Sequence, residues 1–209
     1  MRTISTWRKY VYEELSKISM EGRILDIGGS SKLGYLELLK GKHTIDINNI
    51  DESYGCTVQF DLEKKWPVQN DAYEGVLAIN IMEHIFDYHN VLLESFRVLK
   101  QKGKIVIAVP FLVPIHPCPH DYWRFTEETL LKILEGAGFS DIAVRPVGTG
   151  VWGAVANLKY NAFGRIPILW ILVEKIAYFC DAVLQFFGKG KNFGSKNYPL
   201  GYIVIADKK

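Results

Sequence analysis

Apolar positions in this chain follow two rhythms. Runs at residues 24–27, 75–81 and 104–109 are almost unbroken, as in strands buried on both faces of a parallel sheet. Over 88–99, Val91, Leu92, Phe96 and Leu99 recur at helical spacing, and Thr126 stands where a cap would open a helix ending near Gly136 and Gly138. Shorter segments at 43–47, 57–60, 141–147 and 202–206 read as further strands, and 35–39 as a first crossover helix. Ahead of them, Trp7, Tyr10, Val11, Leu15 and Ile18 share one helical face behind Ser5 or Thr6. This alternation predicts an α/β protein with a parallel sheet.

The segment between the last two strands breaks the pattern. About fifty residues long, it exceeds any ordinary connection and reads as a helical insertion over 151–196 within one domain spanning 1–209. Residues 166–187 have the length of a membrane span, but Glu174, Lys175 and Asp181 fall inside it, so no span is expected. Glu174, Tyr178, Asp181 and Gln185 lie on one helical stripe. The broad apolar remainder, with Trp170, Phe179, Phe186 and Phe187, is expected to pack in part against the sheet. What is left over would serve as a homodimer face, an acceptor lid or a peripheral membrane contact.

Composition narrows the function classes. A net charge of +2 on 209 residues gives no electrostatic case for nucleic acid. Three widely spaced cysteines, Cys56, Cys118 and Cys180, do not suggest a disulfide framework. The first fifteen residues carry charges where a signal peptide needs an apolar core, so a cytoplasmic location is expected.

Candidate chemistry gathers at the strand ends. The stretch RILDIGGSSKLGY places Asp26 inside the first strand and Gly28 and Gly29 directly after it, where a ligand can approach main chain without a Cβ in the way. Asp46 ends the second apolar segment, and Asp61 and Asn80 end the next two. A carboxylate after the second strand suits ribose hydroxyls, whether of a dinucleotide or of an adenosyl cofactor. Ser30, Ser31 and Lys32 follow the glycines, so no G-x-G-x-x-G fingerprint forms, which favours an adenosyl ligand without a diphosphate.

Taken together, ILDIGGSSKLGY, HTIDIN, FDLEKKWP, YEGVLAINIMEHI, SFRVLKQKGKIVIAVPF and PIHPCPHDYWRFT resemble the class I S-adenosylmethionine-dependent methyltransferases. The similarity is greatest to the methyltransferase type 11-like branch found in glycan biosynthesis, and covers roughly residues 22–147 and the final strand. It implies a Rossmann-like, doubly wound, mostly parallel seven-stranded sheet with a final antiparallel strand. It also implies roles for individual residues. Asp26 would orient the turn, and Gly28, Gly29 and Ser30 would lie against the methionine part of S-adenosylmethionine. Asp46 would take the ribose with Ile47 beside the adenine, Asp61 and Leu62 would hold the adenine, and Asn80 would sit near the methionine end. Ser30 and Lys32 depart from the family's glycines and would crowd the turn.

A sulfonium methyl is already activated, so the protein must align the acceptor and remove its proton. His84, His120 and Asp121 are the candidate catalytic groups, and His116, Trp123 and Arg124 the candidate acceptor-binding groups. Against this, Trp123 could plug a sheet edge and Arg124 could simply pair a carboxylate. The H-P-C-P-H run from His116 to His120 lacks a further ligand at a usual spacing, so no metal is expected. The sequence reading is thus a methyltransferase of small or glycan-type acceptors, methylating oxygen by direct displacement. The alternatives are a non-catalytic cofactor-binding scaffold and, third, a nicotinamide-dependent oxidoreductase. Asn80-Ile81-Met82-Glu83 is unlike the N-P-P-Y of nucleobase methylases.

Overall fold

The fold is given by a computed structural model that describes residues 4–32, 34–159, 166–187 and 190–209. Six strands form one sheet: β1 (Gly22–Ile27), β2 (His43–Asn48), β3 (Tyr73–Ile79), β4 (Leu99–Pro110), β5 (Ser140–Val147) and β6 (Gly201–Asp207). Their spatial order is β2-β1-β3-β4-β6-β5. β1 to β4 pair in parallel, and β6 runs antiparallel between β4 and β5. Chain order reverses between β1 and β3, and the carboxyl ends there open the crevice in which such sheets bind ligands.

Central strands buried on both faces need cover on both faces. On one side, α2 (Tyr88–Val98) and α3 (Glu127–Gly136) pack Val91, Leu92, Leu130 and Leu134 onto Leu25, Val76 and Ile105. On the other, α1 (Thr6–Leu15) sets Trp7, Val11 and Leu15 against Ile24, Leu77 and Val106. Side-chain caps start these helices: Ser5, Asp87 and Thr126 each accept from a backbone N–H three residues on.

Three expectations are corrected. The sheet has six strands among the described residues rather than seven, because 57–60 makes a single bridge, Val58 to Asn48. The N–H groups of Thr57 and Val58 both donate to the Ile47 carbonyl, and that of Phe60 to the Asn48 side chain, so no ladder can propagate. The crossover at 35–39 is one 3₁₀ turn, Leu36–Leu38, since Leu39 is already extended and Lys40 bridges Ser19.

The third correction concerns the insertion, which supplies α4 (Val151–Leu158), α5 (Pro167–Phe186) and the short α6 (Gly190–Phe193). Residues 160–165 and 188–189 of the expected 151–196 insertion lie outside the described ones. The acids of the polar stripe of α5 face inward, its Gln185 is exposed, and much of the apolar remainder faces out. Glu174 and Asp181 are buried, whereas Ile168, Leu172, Phe179 and Phe186 are exposed. Trp170 alone of the four expected aromatics is buried, in a small cluster with Ala156 and Ala177. No helix among the described residues is long and apolar enough to cross a membrane.

Candidate functional site

A cavity of about 820 Å³ lies over the crevice, within the size range of small-molecule sites. One wall is the turn after β1. Gly28 has φ +82°, and a Cβ there would stand 2.5 Å from Ile81. A Cβ on Gly29 would stand 1.9 Å from the Asp26 carboxylate. These two positions therefore require glycine, and they leave bare main chain at the cavity's edge. Asp26 is fully buried beneath the turn and accepts from the Tyr35 hydroxyl at 2.6 Å. Burial without a charged partner raises its pKa to about 7.

Ser30 does not crowd this turn. Its hydroxyl donates to the Tyr54 carbonyl and accepts from the Lys32 N–H, both at 3.2 Å, while Lys32 reaches the Ser53 carbonyl at 2.8 Å. The Ser31 N–H also donates to the Tyr54 carbonyl. The residues that replace the family's glycines thus tie the turn to the loop after β2.

Asp46 stands outside the cavity. Arg23 holds its carboxylate at 2.6 Å and the Tyr73 hydroxyl donates to it at 2.8 Å. β2 continues one residue further than expected, to Asn48, two beyond Asp46, so the polar groups that reach the cavity are Asn48, Asn49 and Asp51. Ile47 is buried in register with Asp26 and does not line the cavity. Asp61 and Leu62 do line it, beside Phe60, and Asn80 closes the floor. Asn80 has φ +52° and accepts from the Trp7 indole N–H at 2.7 Å, which commits its carbonyl oxygen and leaves its NH₂ as donor.

The opposite end is built by the 3₁₀ turn Met82–His84 and the loop after β4. His84, His116 and His120 all line the cavity. His84 donates through Nδ1 to the His120 carbonyl, which fixes Nε2 as its lone pair, and burial holds its pKa below the usual histidine value. The His120 ring stacks on Tyr122, with centroids 5.1 Å apart.

Asp121, Trp123 and Arg124 fall away from the cavity. Arg124 clasps both Asp121 oxygens, at 2.5 and 2.8 Å, and the His116 N–H donates to the same carboxylate. The guanidinium thereby holds the Asp121 carboxyl at about 2, too acidic for a base at neutral pH. The Arg124 fork is spent on that carboxylate rather than on an acceptor. Trp123 donates to the Ile85 carbonyl and packs among Phe86, Tyr88 and Phe125, which is the plugging role.

Sequence reasoning missed the contribution of α1: Ser5, Trp7 and Arg8 form a wall of the cavity, as does Asn157 from α4. Glu83, which the sequence reads with His84 as a helix start with a solvated carboxylate or else as a catalytic pair, is instead fully buried between His84 and His116 with neither carboxylate oxygen hydrogen-bonded. An M-E-H triplet at a helix start carries no signal of burial. By contrast, the polar run from Asn48 to Ser53 could have marked the β2 exit.

Comparisons with known proteins match the fold. A search of curated proteins finds no match. Among solved structures, a SAM-dependent methyltransferase from Archaeoglobus fulgidus superposes with a TM-score of 0.58 at 20% identity, over 96% of this chain and 90% of that one. The [4+2]-cyclase SpnF gives 0.58 at 14% identity, over 97% and 81%. A phosphoethanolamine N-methyltransferase 2 of Haemonchus contortus, in complex with S-adenosyl-L-methionine, gives 0.59 at 14% identity, over 97% of this chain and 52% of that one. A family model described as a methyltransferase domain matches residues 2–144, more than half of the sequence, and with it the chain belongs to the class I S-adenosylmethionine-dependent methyltransferases.

Proposed function

We propose that the chain methylates a hydroxyl of a small or glycan-type acceptor, using S-adenosylmethionine. The observation that carries this reading is one cavity with two unlike ends: glycine main chain and amide or acid side chains at one, imidazoles at the other. When bound, the cofactor supplies a methyl group activated by a sulfonium. The residues suited to hold it are the Gly28 to Ser30 main chain and the Asn80 amide for the methionine part. Asn49 and Asp51 suit the ribose, and Phe60, Asp61 and Leu62 the adenine. Trp7, Val113 and Pro114 exclude water. Tyr122 offers a flat face to a sugar ring. With Asp121 locked and His84 turned toward Glu83, the His120 ring is the group that takes the hydroxyl proton.

Calorimetry with S-adenosylmethionine and S-adenosylhomocysteine, followed by methyl release across hydroxyl acceptors, tests the reading. Both nucleosides should bind at one site per chain. His120→Ala should lower turnover by roughly 10²-fold or more with affinity for S-adenosylhomocysteine unchanged. Binding with no release on any acceptor would support the scaffold instead, a reading the SpnF likeness keeps open because that protein is named as a cyclase. Absence of both nucleosides from the site would overturn the cofactor assignment.

A further inference from the structure

Beside the acceptor end of the cavity, Glu83 presents a carboxylate that is 0% exposed and has no hydrogen-bond partner for either oxygen. Such a group is costly to leave charged and unpaired in a protein interior. Arg124 offsets the burial only in part, because it forks onto Asp121 and makes no hydrogen bond to Glu83. Two imidazoles face it instead. His84 Nε2 lies 3.7 Å from Glu83 Oε1, and His116 Nε2 lies 3.9 Å from the same oxygen.

The protons on those rings are placed by their other nitrogens. His84 Nδ1 donates to the His120 carbonyl, and His116 Nδ1 donates to the Pro114 carbonyl at 2.9 Å. Each ring therefore turns an unprotonated Nε2 toward the carboxylate, so neither neutral ring can donate a hydrogen bond to it. Burial raises the Glu83 carboxyl to about 8, so near neutral pH its own proton is the one donor of the cluster; with that proton displaced, the two lone pairs and the carboxylate, all within 4.8 Å of one another, are acceptors only. A cation satisfies all three at once. Nδ1–H groups held by carbonyls are also the outer-shell pattern that orients histidine ligands on a metal.

We propose that Glu83, His84 and His116 bind a divalent transition-metal ion, in a site facing the cavity. Two imidazoles and one carboxylate with open positions suit Zn²⁺ or Fe²⁺ in preference to Mg²⁺ or Ca²⁺, which favour oxygen ligands. His84 and His116 both line the cavity, so the open positions point to the space in which the acceptor is placed. Resting on the hydroxyl-acceptor reading, the ion's role is to take the acceptor oxygen and weaken its O–H bond. The released proton passes to His120 and then to water, leaving a metal-held oxyanion ready for methylation. The sequence hid this site because its ligands come from two loops, a pair at 83–84 and one residue at 116.

The test uses the full chain stripped with chelator and titrated with Zn²⁺ by calorimetry and with Co²⁺ by visible absorption. Expected are one ion per chain and a Co²⁺ spectrum of low coordination number. Glu83→Gln and His116→Ala should each weaken binding at least 100-fold, while His120→Ala leaves it unchanged. His116 is a partly exposed loop residue, so its variant reports even if Glu83→Gln fails to fold. No binding by the wild type, or binding that both variants retain, overturns the proposal. S-adenosylhomocysteine titrated into the same sample separates the two readings. If it binds while the metals do not, the metal site alone is wrong; metal bound without the nucleoside removes the methyltransfer role and keeps the site.

Discussion

Asp46 and Asp51 show how a single pleat decides which carboxylate meets a ligand. Strand residues advance about 3.3 Å each, so Asp46 sits roughly 6.6 Å short of the end of β2, on the same face as Asn48. There it pairs with Arg23 and accepts from the hydroxyl of the buried Tyr73, away from the cavity. Asp51 follows the strand, spends one oxygen on the Ser53 N–H and lines the cavity with the carboxylate still ionised, its pKa lowered by that bond. Asp51→Ala should therefore weaken S-adenosylhomocysteine binding roughly 10- to 100-fold if it holds the ribose. Asp46→Ala should change affinity less than about twofold by the same titration. Equal losses in the two variants would return the ribose to Asp46.

Among the elements, α5 departs furthest from what its sequence suggests. Asp181 performs a cap at a distance. The N-cap residue of α4 is Gly150, which has no side chain to offer, and Asp181 accepts from the N–H groups of Trp152 and Gly153 at 3.0 and 2.9 Å and from the Thr149 hydroxyl at 2.7 Å. Glu174 similarly accepts from Thr6 at 2.6 Å and pairs with Lys9, fastening α5 to the helix that walls the cavity. Asp181→Ala leaves buried donors without a partner and should cost about 2–4 kcal/mol in denaturant unfolding. Phe179→Ser, at a side chain 70% exposed, should stay within about 0.5 kcal/mol. The reverse ranking would mean that the apolar face of α5, not the polar one, points inward. Periodicity revealed that this helix has two faces but not which one is buried, since acids are usually solvated. The apolar runs of β1, β3 and β4 and the cap at Thr126 were legible because their local signals agree with their packing. Residues 57–60 looked like a strand until side chains and a shared carbonyl took its hydrogen bonds.

At the scale of the whole molecule, the cavity is assembled from four strand exits and a helix brought from the chain's beginning. The strand exits could be read in the sequence, since glycines and acids punctuate apolar runs. The wall made by Trp7 and Arg8 could not, because only packing across the sheet brings it there. The same assembly buries Asp26 in the central sheet, and this has a consequence for global stability. Unfolded, the side chain ionises near its ordinary pKa of 3.8; folded, it holds its proton to about 7. Between those values the native state binds more protons than the unfolded one, so this residue's contribution favours folding below about pH 4 and is lost as pH rises to about 7. The shift corresponds to an upper bound of about 4 kcal/mol. Asp121 acts in the opposite sense, holding its stabilisation at neutral pH and losing it as pH falls toward about 2, so the whole-protein curve mixes the two. Asp26→Asn isolates the first. Its carboxamide oxygen can still accept from Tyr35, and it cannot ionise. Unfolding free energies of the two proteins, measured from pH 4 to 8, should diverge in favour of the variant as pH rises and run parallel above about pH 7. A constant difference across that range would mean that the buried carboxyl is ionised throughout, and that its charge is met by a partner other than Tyr35.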